Sequence, residues 1–410
     1  MNKVFVVAVA LFSGMMMTRL FKVLHLKFPN VTAFLIAGIV AGPYLLGRYN
    51  GLDSIEAVNS LHNINDVALA FIAFSIGAEF RLDKLKNTGK QALVIGVLQA
   101  VAATVIVDIA LIVLHFIFGD EVLPLSVCLT LGAIAAATAP AATLLVIKQY
   151  HAEGPVTELL LPIVALDDAV GLVIFALSFG VAQALEGGQL SVITVLINPL
   201  IEIVGSVIMG SLIGLVLSKL ETTFHSAGSR LALAISLVFF ALAASGLNYQ
   251  FGQLEIGFSS LLVLMMMGTV FCNTSQYSEE VFFRSDEWTV PLYTVFFVLS
   301  GAALDLGVFT NIQIIIIGVT YVICRMIGKY FGASFSARMT KCSDNVIRYL
   351  GITLFPQAGV ALGMSSTAMA LGTTEGTLIR NVVLFSVLIY ELIGPALTRS
   401  ALIKAGEIKQ

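Results

Sequence analysis

The sequence predicts an all-α polytopic membrane protein with about thirteen transmembrane helices. They are expected to form two inverted-topology six-helix repeats, with two crossed, unwound helices at mid-membrane. Three observations predict this class. Only 11% of the residues are charged against 58% hydrophobic, and the mean hydropathy is +0.97; soluble domains carry about 25% charged residues. The apolar runs are long enough for helices, the usual answer to a solvent that cannot pair a free backbone. Finally, three short stretches of the first half recur, in the same order, in the second.

The runs fall near 3–20, 31–47, 63–79, 92–118, 123–147, 155–185, 190–218, 229–247, 257–273, 289–308, 311–337, 345–372 and 376–398. The first imitates a signal peptide, but its only A-x-A, Ala8-Val9-Ala10, lies inside the apolar core, so it reads as a membrane helix. The whole chain is expected to be membrane domain, with no hydrophilic domain appended. Loops after odd-numbered runs hold seventeen of the 22 Lys and Arg residues and the opposite loops hold three. This bias places the N-terminus outside and the C-terminus in the cytoplasm. No basic stripe suggests nucleic acid. The four cysteines lack metal-ligand spacing, so no cofactor is expected.

The repeat is carried by "EGPVTELLLPIVALDDAVG" (153–171) against "EGTLIRNVVLFSVLIYELIG" (375–394), and by "TAPAATL" (138–144) against "FPQAGVAL" (355–362). A looser match joins "FSIGAEFRLDKL" (74–85) to "FVLSGAALDLG" (297–307). Matched runs lie seven apart, an odd number, so the copies have opposite orientation. The expected organisation is a first repeat over 1–189, a linker span over 190–228 and a second repeat over 229–410, with an ion-translocating core and a dimerisation domain interleaved in sequence. Inverted repeats with helices broken at mid-membrane characterise secondary transporters.

Charged residues inside the runs share one depth. A helix rises 1.5 Å per residue, which puts Asp167 and Asp168 about 13–15 Å from Glu158, Lys329 about 13 Å from Arg338 and Glu391 about 12 Å from Arg399. Arg325 lies one turn deeper than Lys329 and, at i, i+4, on the same face. Thr138 and Pro356 fall at about 12–15 Å as well. The hydrocarbon core is about 30 Å thick, so these groups sit near its middle, where an ionisable side chain is a functional candidate. Arg325 and Glu391 are candidates for a structural charge pair. Asp108 and Glu202 fall about 25 Å up, where an interfacial or structural role is expected.

Adjacent helical residues point about 100° apart. One aspartate can therefore face a salt-bridge partner and the other an ion path. Two carboxylates so close repel, and a proton or a cation relieves the repulsion. Carboxylate oxygens suit hard monovalent cations, and Thr138 with freed backbone carbonyls supplies further ligands. Pro140 and Pro356 explain why carbonyls are free, since each removes a helix hydrogen bond in mid-span. Ala139, Pro140, Pro356 and Gln357 mark the two crossover segments.

These residues resemble a known family, the bacterial monovalent cation:proton antiporters of the sodium/proton exchanger superfamily, paired-aspartate electrogenic type. The resemblance runs through "FPNVTAFLIAGIVAGP" (28–43), "TAPAATLLVIKQY" (138–150), "LPIVALDDAVG" (161–171), "RMIGKYFGA" (325–333), "FPQAGVALG" (355–363) and "ELIGPALTRSALIKAGE" (391–407). It implies a homodimer in the inner membrane that exchanges protons for Na+, with Li+ or K+ as alternatives. It also implies that Asp168 binds the ion and Asp167 pairs with Lys329. Transported Na+ is thus expected at Asp168, Asp167 and Thr138. Many members carry Asp after the crossover Thr; here that position is Ala139.

Among alternatives, a sodium-coupled organic-anion symporter can share an inverted-repeat fold, but the adjacent aspartates and intramembrane lysine argue against it. An intramembrane aspartyl protease needs two aspartates on different helices and a G-x-G-D, which is absent. A passive channel would carry currents far above exchanger turnover. No enzymatic activity is expected.

Overall fold

Proline and glycine set where the helices of this chain stop, break and touch. The computed structural model describes residues 3–25, 28–47, 58, 61–78, 80–186, 197–247, 249–251, 254–303 and 311–408; the side chains of Asp168 and several others lie outside the described set. In chain order the helices are α1 (Lys3–Val23), α2 (Asn30–Ala41), α3 (His62–Gly77), α4 (Leu82–Phe118), α5 (Leu125–Ile134), α6 (Pro140–Tyr150), α7 (Pro155–Leu185), α8 (Asn198–Leu220) and α9 (Ala227–Ser245). A two-stranded antiparallel hairpin, β1 (Tyr249–Phe251) and β2 (Leu254–Ile256), interrupts them. Then come α10 (Ser260–Thr274), α11 (Ser278–Ala302), α12 (Ile312–Met339), α13 (Asp344–Thr353), α14 (Gly359–Thr367) and α15 (Thr373–Lys404). The expected all-helical character holds apart from that small hairpin.

Among the described residues, six helices are by themselves long and apolar enough to cross a membrane, and α7 makes a seventh when its two segments, bent by 45° between Val164 and Ala169, count as one span. The remaining apolar helices have 10–17 residues, about 15–25 Å of rise against a 30 Å hydrocarbon layer. Two of the expected spans, 123–147 and 345–372, are each a pair of short helices. Residues 135–139 separate α5 from α6, and 354–358 separate α13 from α14. Pro140 sits at the first position of α6, where its missing N–H costs nothing. Pro162 lies inside α7, just before its bend, and cannot donate to the Glu158 carbonyl.

The chain divides into two compact units, Met1–Asn87 with Leu200–Ala303, and Thr88–Pro199 with Leu304–Gln410. In the first unit α3 lies along α10 and α2 along α11. The aromatic rings of Phe74, Phe271 and Phe282 form its buried centre, with Phe74 and Phe282 centroids 4.7 Å apart. α2 and α11 touch backbone to backbone: a Cβ on Gly301 would lie 2.2 Å from the Leu35 carbonyl oxygen, and one on Gly38 would lie 2.0 Å from that of Val298. Such close approach through small residues is how helices pack where lipid gives no hydrophobic drive. Gly301→Leu is expected to push the pair apart and destabilise the unit by at least about 3 kcal/mol, at or above the usual range for overpacking because backbone atoms must move. Thermal melting in detergent checks this, and a melting point equal to the parent's would refute it.

The second unit carries both broken helix pairs. Its C-terminal segment folds back on α7: Glu407 accepts hydrogen bonds from the Val156 N–H (2.6 Å), the Thr157 N–H (2.9 Å) and the Thr157 hydroxyl (2.6 Å). A carboxylate there satisfies the unpaired first-turn amides and complements the positive end of the helix. That helix carries both aspartates of the sequence motif.

Candidate ion-binding site

Unwinding a helix in an apolar interior leaves carbonyls that need donors. At the first break these are Ala135, Ala136 and Ala137, and at the second Phe355. α12 supplies the donors. Arg325, fully buried, gives its Nε to the Ala135 oxygen (2.9 Å), Nη2 to Ala137 (2.5 Å) and Nη1 to Phe355 (2.7 Å), and its guanidinium lies 4.7 Å from the centre of the Tyr390 ring. The planar fork of arginine can reach three carbonyls on two segments of the chain at once. It also places positive charge against the negative C-terminal ends of α5 and α13.

The two breaks are tied to each other directly. The Ala139 N–H donates to the Pro356 oxygen (2.9 Å) and the Gln357 amide to the Ile134 oxygen (3.0 Å). Gln357 is held in turn by Tyr321 (2.9 Å) on α12 and by the Ser386 hydroxyl (3.2 Å) on α15. Gly394 of α15 packs on the Pro356 ring.

One turn along α12 from Arg325, Lys329 is also fully buried. Its Nζ donates to the Ala136 oxygen (2.5 Å) and the Thr138 hydroxyl (2.9 Å) and lies 3.1 Å from Asp167 Oδ2. Thr138 donates to that same oxygen at 2.5 Å. Asp167 is wholly enclosed, and its other oxygen accepts a hydrogen bond from the Gln99 amide of α4. Both oxygens of Asp167 are thus occupied by donors, as a buried carboxylate requires.

Of the residues singled out in the sequence, Asp167, Thr138 and Lys329 meet, and Ala139, Pro140, Pro356 and Gln357 lie at or beside the two breaks. Asp168 is placed on α7, but its side chain lies outside the described residues. The structure corrects one expectation. Arg325 and Glu391 form no ion pair: Arg325 spends its donors on backbone oxygens, while Glu391, nearly buried, has its Oε2 without a hydrogen-bond partner among the described residues. The carbonyls of 135, 136, 137 and 355 each accept a hydrogen bond from one of the two bases. Thr138 likewise has both its proton and one lone pair engaged. Asp108, expected to be interfacial or structural, lies against Gly132 of α5 with its Oδ1 buried and without a hydrogen-bond partner among the described residues.

Sequence reasoning missed Gln99. Its only signal is that it is the one amide side chain in the apolar run 92–118. It also missed Arg325 as the link between the breaks, since a backbone acceptor leaves no trace in residue identity.

The Lys329–Asp167 contact makes a paired prediction. Lys329→Met leaves Asp167 buried without its cation and is expected to cost about 3–5 kcal/mol. Adding Asp167→Leu should return part of that loss, because the uncompensated charge goes with it. Thermal melting of the single and double variants checks this; a double variant less stable than Lys329→Met alone would contradict it.

Comparison with known proteins gives a consistent picture. The family profile described as "Sodium/hydrogen exchanger, transmembrane" matches residues 7–404. The ammonium/H(+) antiporter subunit AmhT of Alkalihalophilus pseudofirmus is 24% identical over 281 residues, 67% of this chain and 65% of that protein. The high-affinity Na(+)/H(+) antiporter NhaS3 of Synechocystis sp. is 24% identical over 331 residues, 76% of this chain and 65% of that one. The chain thus spans 65% of the length of these curated relatives. The solved sodium proton antiporter MjNhaP1 of Methanocaldococcus jannaschii superposes with a TM-score of 0.73 at 18% identity, covering 98% of this chain and 97% of that one. The shared fold is that of MjNhaP1.

Proposed function

The chain belongs to the sodium/hydrogen exchanger family, and on that premise we propose that it is a secondary active antiporter exchanging protons for a monovalent cation across a membrane. The observation that carries the reading is the Asp167–Lys329 pair, enclosed at an unwound helix break. A buried ion pair beside the unwound ends of two helices is a poor way to gain stability. It is a good way to build a site whose charge changes with its occupant.

The mechanism follows from charge balance. Asp167, Asp168 and Glu391 against Arg325 and Lys329 leave a net charge of −1 with all five ionised. One bound monovalent cation neutralises it. So does one proton, and the two therefore compete. Asp168 is the ion-binding carboxylate and Asp167 the partner of Lys329. The unit carrying them moves between the two faces only when the site is occupied, since an uncompensated charge at mid-membrane is costly. Na+ is the first candidate; ammonium joins Li+ and K+ because AmhT is named for it. Where both aspartates shuttle, two protons exchange per cation; the proton-loaded site then carries one more positive charge than the cation-loaded site, and that difference makes the transport electrogenic. Thirteen spans in two inverted repeats, a homodimer, an inner-membrane location and an outside N-terminus belong to the same proposal.

The test is the purified protein in liposomes with an internal pH dye and a panel of Li+, Na+, K+ and ammonium. Dye alkalinisation or acidification driven by one of these gradients supports exchange, and silence with all four refutes it. An imposed membrane voltage should change the rate; a rate indifferent to voltage refutes electrogenicity alone.

A further inference from the structure

We propose that the side-chain oxygen of Gln99 is a ligand of the transported cation, an inference that rests on the antiport reading and extends its site onto α4. Gln99 is fully buried. Its amide nitrogen donates to the Gly96 carbonyl at 2.8 Å and to Asp167 Oδ1. Both amide hydrogens are therefore spent, and the nitrogen must face the carboxylate, since two oxygens would repel. This leaves Oε1 beside the site, buried, with no hydrogen-bond donor among the described residues.

An amide that served only to brace Asp167 would be expected to find a donor for its oxygen, because a buried acceptor left empty is disfavoured. A dehydrated monovalent cation satisfies it without any donor. Hard cations take carboxylate and carbonyl oxygens together. A neutral oxygen adds coordination while leaving the −1 balance of the site unchanged, so it does not disturb the competition between ion and proton. The carbonyls of Ala135, Ala136, Ala137 and Phe355 each already accept a hydrogen bond from Arg325 or Lys329, whereas the Gln99 oxygen accepts none from the described residues.

Packing shows that the placement is built. α4 is drawn onto α12 at two glycines flanking Lys329. A Cβ on Gly328 would lie 2.5 Å from the Ala103 Cα, and one on Gly332 would lie 2.9 Å from the Gln99 Cα. Larger residues at either position would lift Gln99 away from Asp167.

Gln99→Met keeps the length and loses the oxygen. In liposomes it is expected to raise the apparent KM for the transported cation about tenfold, with the maximal rate falling by less than KM rises, as loss of a ground-state ligand requires. The cation-dependent rise in melting temperature of the purified protein should shrink in parallel, and this readout needs no transport. An unchanged KM with an unchanged cation-dependent melting shift would overturn the assignment and make Gln99 a brace for Asp167. Should Gln99→Met fail to yield monodisperse protein, Gln99→Asn, which keeps the amide but withdraws it by one methylene, decides the question by the same two measurements. A parent protein that moves no protons with any cation would sink the antiport reading instead. In that case a cation-dependent melting shift present in the parent and lost in Gln99→Met still supports the ligand, and its survival in the variant overturns it.

Discussion

Replacing Asp168 by Asn is expected to lower proton-coupled cation exchange at least about a hundredfold while leaving the fold intact. The two side chains are nearly identical in shape, so packing along α7 has little reason to change. The chemistry changes completely. An amide cannot take up and release the proton that has to be exchanged. It also removes one of the three acids, so the ionised site goes from −1 to neutral, and a bound cation would then carry a full uncompensated charge into the apolar interior. Such a charge is worth several kcal/mol, and each 1.4 kcal/mol is a factor of ten. The measurement is the rate of dye response in liposomes at a fixed cation gradient, with melting temperature as the control for folding. Exchange comparable to the parent would refute the assignment of Asp168 as the ion-binding carboxylate.

Arg325→Met is expected to have the largest effect on stability. It leaves the carbonyls of Ala135, Ala137 and Phe355 without their donor, in a place water reaches poorly. Each orphaned buried acceptor costs about 1–3 kcal/mol, so the loss is at least about 3 kcal/mol against a typical total of about 5–15 kcal/mol. Little monodisperse protein should be recovered. Arg325→Lys should fall between, since an ammonium on a flexible stem does not reproduce the fixed fork. Yield and melting temperature after detergent extraction check both variants; a Met variant that melts with the parent would show that the two breaks hold without the clamp.

The legible part of the site is the part written in side chains of unusual type. A lysine, an arginine and two aspartates inside apolar runs declare themselves, and the constant rise of a helix brings Asp167 and Lys329 to one depth before any fold is known. Pro140 and Pro356 mark where the helices break, because a missing N–H is a property of the residue itself. The partners of Arg325 were not legible. Its charge suggested an acid such as Glu391, and nothing in the sequence says that three carbonyls lie closer. Gln99 was passed over for a related reason: one of three amides in a helix of 37 residues is ordinary until a neighbouring helix puts a carboxylate against it.

The sequence by itself determined that this chain is a polytopic helical membrane protein, which residues are out of place in an apolar interior, and where two of its helices come apart. Those are consequences of composition, periodicity and the chemistry of single residues. Only the tertiary structure decided who pairs with whom. Arg325 went to the backbone and not to Glu391, Lys329 took a carbonyl and a hydroxyl as well as Asp167, and Gln99 entered the site from a helix the motif never touched. The physical reason is that pairing in a low-dielectric interior is settled by which donors and acceptors come within about 3 Å. Most of those acceptors are backbone carbonyl oxygens, identical in every residue and visible only once the chain has folded around them.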